Sequence, residues 1–329
     1  MKVLFIGGSG VISSACSHLA VEKGMQLYVL NRGKTFRPMP ENVHRINADA
    51  RDEAALIEAV KNLEFDVVVD WIAFAPDQVE MDYRIFQDRT KQFVFISSAS
   101  AYQTPPQKLP VKEDTPLDNP FWLYSRDKIA CENVLMDFYE REAFPVTIVR
   151  PSHTYDRTML PCRGGWTTID RMRRGQPVII HGDGASIWTL THHRDFAKGF
   201  VGLLGNSAAI GEDYHITSDE CLSWNQIYEI LADAAGAKLD AVHIPSDLIN
   251  KFDAEIGAGL LGDKMHSMIF DNSKIKTLVP DFECTIPFVD GAKEIIDWYD
   301  GDASRRLIND NYNVLTDKIL SAYGRISFE

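Results

Sequence analysis

Two residues four apart carry the most pointed chemistry in this chain. In the run Tyr124-Ser125-Arg126-Asp127-Lys128, a helix already under way at Tyr124 puts the phenol and the ammonium on one face, one turn apart. A phenol with a pKa of about 10 exchanges protons poorly at neutral pH, and a nearby ammonium favours the phenolate and brings that value down. One helix upstream, a short apolar strand runs directly into Ser97-Ser98-Ala99-Ser100-Ala101-Tyr102. A hydroxyl pair, a phenol and an amine so arranged suit proton exchange at a carbon-bound oxygen, provided something accepts or supplies a hydride.

That partner is suggested by the start of the chain, MKVLFIGGSGVISSACS. Lys2 to Ile6 reads as a strand, Gly7-Gly8-Ser9-Gly10 as a turn, and the residues from Val11 as a helix. In such a turn the first glycine permits a tight bend. Gly10 lets the backbone approach a pyrophosphate, whose charge is met by the N–H groups and positive dipole end of the helix. Gly7, Ser9, Gly10, Val11 and Ile12 are therefore expected to bind a dinucleotide, although Ser13 stands where the third glycine of the usual fingerprint falls. A secretory signal is not expected, because GGSG interrupts the apolar run and only Lys2 precedes it.

The elements that must hold these groups alternate along the chain. A strand at 26–30 closes a βαβ unit and ends at Asn31-Arg32-Gly33-Lys34. An acidic residue here would bind a ribose 2′-hydroxyl, whereas a guanidinium suits a 2′-phosphate, so Arg32 and Lys34 tilt the reading from NAD towards NADP. Solvated loop charges are the alternative. A strand at 43–47 leads to Asp49 and Ala50, with Asp49 placed to meet the adenine amino group, and Asp52 caps a helix at 52–62. The run FDVVVDW at 65–71 is too continuously apolar for a strand with one wet face, so it belongs to a parallel sheet covered on both sides, with Ile72 and Ala73 lining the groove at its end. A helix at 83–89 precedes a strand at 93–96, the loop 104–120 delivers the chain to Tyr124, and a sixth strand spans 146–149. Such alternation predicts an α/β protein with a doubly wound parallel sheet and ligands at the C-terminal strand ends.

Composition narrows the classes. With 329 residues and a formal charge of −13, the chain can bury a full core and opposes a general nucleic-acid surface. No apolar segment approaches the roughly 20 residues that a membrane helix needs. The five cysteines show no CxxC spacing, so free or buried thiols in a reducing, cytoplasmic compartment are expected rather than disulfides or zinc. His192-His193 has no acid or cysteine at ligand spacing, so no metal is expected.

The chain resembles the extended short-chain dehydrogenase/reductases, the group of NAD-dependent sugar epimerases and dehydratases. GGSGVIS, FISSASAY, YSRDK, RPSHTY at 150–155, GDG at 182–184, DNSKIKTLVPDF and a stretch ending IIDWY carry the resemblance, which spans nearly the whole chain. It implies a Rossmann-type domain at 1–155, rejoined by about 178–210, and a smaller substrate-binding region at 156–177 and 211–329. By position, Ser98 would bond the reacting oxygen, Tyr124 would give or take the proton, and Lys128 would hold the nicotinamide ribose. Ser97, Pro151, Ser152 and His153 would lie along the nicotinamide side. Ser100, His153 and Trp188 would face substrate, with local packing the alternative for His153. Ser98-Ala99-Ser100 replaces the Thr-Asp-Glu run of the dehydratases, which argues against dehydration. Trp188 stands where nucleotide-sugar enzymes carry an arginine for the substrate diphosphate; an indole suits stacking on a sugar. The resemblance also implies a homodimer through two outer helices. A rival expectation comes from the tail: Gly301, Arg305-Arg306 and Asp317-Lys318-Ile319-Leu320 are similar to the chloroplast stem-loop-binding proteins, which makes RNA binding the alternative function.

Overall fold

The computed structural model describes residues 1–34 and 37–324. Seven parallel strands form the central sheet. The first six are β1 (Lys2–Ile6), β2 (Gln26–Asn31), β3 (His44–Asn47), β4 (Val67–Asp70), β5 (Phe93–Ile96) and β6 (Val146–Pro151). They run in the order β3-β2-β1-β4-β5-β6, and Asp213–Ile216 lies beyond β6 at the edge. Every strand is joined to the next in the chain by a helical crossover except β2 to β3, and the order reverses beside β1, so the groove at the switch point opens above that strand.

Alternation along β1 shows why the sheet is covered on both faces. Val3 and Phe5 enter a cluster with Ala15, Cys16 and Phe200, while Leu4 and Ile6 enter one with Leu56, Ile85 and Leu135. Helix α1 (Val11–Glu22) and the helix His193–Leu203 cover the first face; α2 (Glu53–Val60), α3 (Pro76–Phe86) and α4 (Leu123–Glu142) cover the second. The Asp52 side chain accepts from Ala55 N at 3.1 Å, capping α2 as its sequence predicts. Helix α3 begins earlier than the expected 83–89, because Pro76 at its first turn supplies the preset φ that starts a helix.

A second core, built around Trp166, Trp188, Trp224 and Ile295, belongs to the smaller part of the chain. Its boundaries differ from those expected in two places. Asp213–Ile216, assigned by sequence to the substrate-binding region, pairs with β6, because Tyr214 and Ile216 bury into the main core. Val178–His181, expected to rejoin the dinucleotide domain, instead pairs with Ala241–Ile244, with Val178 and Ile180 in the second core. The helix His193–Leu203 does rejoin it. No helix among the described residues is long and apolar enough to cross a membrane, and the cysteines are free thiols.

Candidate active site and dinucleotide cleft

The turn after β1 holds Gly7 at φ +108° and Gly8 at φ +73°, a region that L side chains rarely adopt. A Cβ on Gly8 would also lie 3.0 Å from a Val29 methyl. Gly10, with φ −81°, is in ordinary extended backbone, and a Cβ there would lie 3.2 Å from Ser13 Oγ. Ser13 explains the altered fingerprint: its Oγ accepts from Gly10 N at 2.7 Å and caps the helix start from inside.

Beyond the turn opens a cleft of about 1710 Å³. All the cofactor residues predicted between Gly7 and Ile72 line it, namely Gly7, Ser9, Gly10, Val11, Ile12, Asn31, Arg32, Lys34, Asp49, Ala50 and Ile72. At one end Arg32 lies 3.8 Å from Asp49, both well exposed. A carboxylate therefore does reach the end of β2, delivered from beyond β3 where reading β2 alone finds none. Sequence reasoning missed the far wall, formed by Asp156, Arg157, His193, Arg194 and Arg305; these come from distant segments with no shared local pattern. It also missed Arg51, whose Nη2 donates to buried Asp70 at 2.8 Å, while Asp70 accepts from Ile72 N at 2.6 Å and Ala73 N at 2.9 Å and so shapes the loop after β4. A long cleft that begins at helix N–H donors and glycine backbone fits a dinucleotide.

Ser98, Tyr124 and Lys128 are brought together at the C-terminal end of β5. Asn119 arranges this: its Oδ1 accepts from Phe121 N at 3.2 Å and Trp122 N at 3.1 Å, starting α4, while its Nδ2 donates to Ser100 O at 2.9 Å. Ser98 Oγ lies 2.9 Å from Ser100 Oγ, which accepts from Ser125 Oγ at 2.8 Å. Burial keeps the Tyr124 pKa above the ordinary phenol value, while the neighbouring Ser98 hydroxyl lowers it and the Asp263 carboxylate raises it. Lys128 is 1% exposed and donates to Ala73 O at 2.6 Å and Ile96 O at 2.7 Å. Its nitrogen lies 4.5 Å from the Phe74 ring centroid and 5.9 Å from that of Tyr124. Burial pushes its pKa down to about 8. A buried ammonium must satisfy its donors, and two of its three N–H groups here brace the backbone after β4 and at the end of β5.

Other predicted residues sit elsewhere. Ser97 does not line the cleft; its buried hydroxyl donates to Glu132, which is held by Arg150 at 2.6 Å. Pro151, Ser152 and His153 are likewise off the cleft: Ser152 Oγ donates to Thr189 O at 3.3 Å, and His153 opens a short strand paired with Leu190. Trp188 is 2% exposed, so its face is not open for stacking. His192 lies 3.0 Å from Glu294 and His193 3.2 Å from Val11 O.

Fully buried His215 sits between Tyr102 OH at 3.0 Å and Asp271 O at 2.9 Å, and burial pushes its pKa down to about 4. Unfolded, the imidazole takes a proton near its ordinary value of about 6.5. Between these values the unfolded chain binds the extra proton, so stability falls as pH falls through this window. Urea midpoints measured from pH 7 to 4.5 are expected to show this slope, shallower by close to one proton in His215→Gln; an unchanged slope would contradict the assignment.

A doubly wound sheet with a glycine turn opening on such a cleft, and a Ser, Tyr and Lys at the end of β5, two strands from β1, defines a dinucleotide-binding protein of the short-chain dehydrogenase kind. The model of the NAD dependent epimerase/dehydratase family matches residues 3–217, and the chain belongs to that family. Among curated relatives it is 24% identical over 290 residues to the 2'-dehydrokanamycin reductase of Streptomyces kanamyceticus, covering 86% of this chain and 80% of the other. It is 23% identical over 248 residues to the chloroplast stem-loop binding protein of 41 kDa b of Arabidopsis thaliana, covering 71% and 63%. The fold superposes on the UDP-glucose 4-epimerase of Bifidobacterium longum, solved with NAD+ and UDP, with a TM-score of 0.75 and 18% identity over 93% of this chain and 100% of that one.

Proposed function

We propose that this protein is an NAD(P)-dependent epimerase or reductase that moves a hydride at a hydroxyl-bearing carbon of a sugar-like small molecule. The observation that carries the reading is that Tyr124, Ser98 and Lys128 meet at the end of β5, the phenol one helical turn from the lysine and the strand end beside the dinucleotide cleft. Ser98 orients the reacting oxygen, Tyr124 exchanges its proton, and Lys128 fixes the floor of the site through Ala73 O and Ile96 O. A bound nicotinamide supplies the hydride chemistry, held by the residues that line the cleft from Gly7 to Ile72, with Ala73 at its edge. Arg32 and Lys34 favour the 2′-phosphate of NADP, whereas Asp49, which lies 3.8 Å from Arg32, suits the 2′-hydroxyl of NAD. The absence of acids at Ala99 and Ser100 disfavours dehydration. RNA binding is not favoured, because a formal charge of −13 opposes a phosphate backbone.

The test follows the nicotinamide absorbance while the protein, with one equivalent of NAD+ or NADP+, is offered a panel of polyols, sugars and sugar derivatives. A product epimer with the cofactor still bound identifies an epimerase; stoichiometric consumption identifies a reductase or dehydrogenase. If neither nucleotide binds, the reading fails.

A further inference from the structure

The far wall of the cleft brings a histidine to the start of α1. His193 opens the helix His193–Leu203 and lines the cleft together with Gly10 and Val11. Its Nδ1 lies 3.2 Å from Val11 O. A carbonyl oxygen only accepts, so Nδ1 carries the hydrogen, and in the neutral ring Nε2 is left as an acceptor. Among the described residues no protein group bonds Nε2, and this atom is not sealed from solvent. An acceptor is the wrong group to present where a diphosphate binds, because the charged oxygens of a diphosphate also only accept. Protonation makes it a donor.

The charges that face this ring come from several elements, and each carboxylate among them already has a cation. On its own helix Asp195 is held by Lys198 at 2.7 Å, and Arg194 lies 3.2 Å from Glu294 of the helix Phe288–Asp300, which also lies 3.0 Å from His192. The segment after Tyr155 contributes Asp156, 3.2 Å from Arg37, and the exposed Arg157. From α1 comes the Val11 carbonyl. A protonated His193 finds no uncommitted carboxylate among the described residues. In the free protein burial, then the neighbouring His192, push its pKa down to about 4 against the pull of Asp156, Glu294 and Val11 O. Its counter-charge has to come from a ligand.

We infer that His193 is a further nucleotide-binding residue, supplied by the wall opposite the glycine turn, which takes up a proton as a dinucleotide binds and then donates both to Val11 O and to the diphosphate. This inference rests on the reading of the cleft as a dinucleotide site. Above about pH 4 the ring of the free protein is neutral, whereas an anion beside it raises its pKa. Between the two values the complex holds more protons than the free protein, so affinity strengthens as pH falls through that window. A histidine suits this place better than a permanent cation, because the empty cleft then holds no extra positive charge beside the positive end of α1.

The experiment is calorimetric titration of the whole protein with NAD+ and with NADP+ at about pH 6, each in two buffers of different ionisation enthalpy, which together count the protons taken up. For the tighter nucleotide, uptake of about a third of a proton to one proton is expected, and close to none in His193→Gln. The 2′-phosphate of NADP+ titrates at about pH 6 on its own account, so for that nucleotide the difference between the two proteins is what counts. The parent is expected to gain about tenfold in affinity over His193→Gln between about pH 8 and pH 5.5, the two agreeing at pH 8. The His193 ring resonance, assigned through its backbone, is expected to titrate at higher pH in the loaded protein than in the free one. That measurement needs neither variant nor turnover, and an unmoved midpoint overturns the inference. Nucleotide binding without proton uptake, or with uptake unchanged in His193→Gln, overturns it as well and leaves the dinucleotide cleft standing. Absence of any nucleotide binding overturns both.

Discussion

Tyr124→Phe is expected to slow hydride transfer by about a hundredfold to ten-thousandfold, the range that a positioned acid or base contributes, while leaving nucleotide affinity unchanged. The aromatic ring packs 4.8 Å from the Trp122 ring and 6.3 Å from that of Phe74, and phenylalanine preserves both contacts. Only the hydroxyl beside Ser98 is lost. Because burial already holds this phenol above its ordinary pKa, the reaction must supply what Lys128 does not in this arrangement: the positive charge of an oxidised nicotinamide beside the site. The pKa of Tyr124 is therefore expected to fall when the oxidised nucleotide binds, read as a phenolate band that appears at lower pH in the loaded protein and is absent from Tyr124→Phe. Turnover of the variant within tenfold of the parent, on a substrate found by cofactor reduction, would remove Tyr124 from the chemistry.

The sheet was legible because its signals are local. Continuous apolar runs such as 65–71 and the GGSG turn declare buried parallel strands and a tight bend without reference to anything distant. Tyr124 and Lys128 were legible for the same reason, one helical turn being enough to pair them. What sequence could not give is how each side chain satisfies its hydrogen bonds. Ser97 reads as a cofactor contact until Glu132 is found 35 positions away in the chain, and Lys128 reads as a free ammonium until two of its three N–H groups are found donating to the Ala73 and Ile96 carbonyls. Asp49 lines the cleft, yet its pairing with Arg32 joins the ends of two strands that only the sheet brings together. Trp188 looked like an open stacking face because a residue's type says nothing of what covers it. The Asp263–Lys264 pair stands beside Tyr124 through a π-turn that carries no periodic pattern.

The largest expected effect on stability lies beneath the site. Arg150 is 4% exposed and Glu132 2%; the guanidinium donates to the carboxylate at 3.0 and 2.6 Å and to Tyr102 OH at 3.1 Å. Breaking such a pair by removing one partner leaves a charge buried and unanswered, at about 3–5 kcal/mol, so Arg150→Met is expected to lower the urea midpoint sharply. Glu132→Leu strands the guanidinium, which keeps Asp213 as a second carboxylate partner and is destabilised less. Replacing both, Glu132→Leu with Arg150→Met, removes the charges together and is expected to be less destabilising than the sum of the single changes, a coupling that urea titration of the four proteins measures. The network also bears on the chemistry. Glu132 is one turn beyond Lys128 on α4 and accepts from Ser97, the residue before Ser98, so it sets the strand end on which Ser98 stands. The double variant, if folded, is therefore expected to bind nucleotide normally and to transfer hydride more slowly, with the loss in the maximal rate rather than in substrate affinity. Strict additivity of the two single changes would show that the charges do not act as a unit.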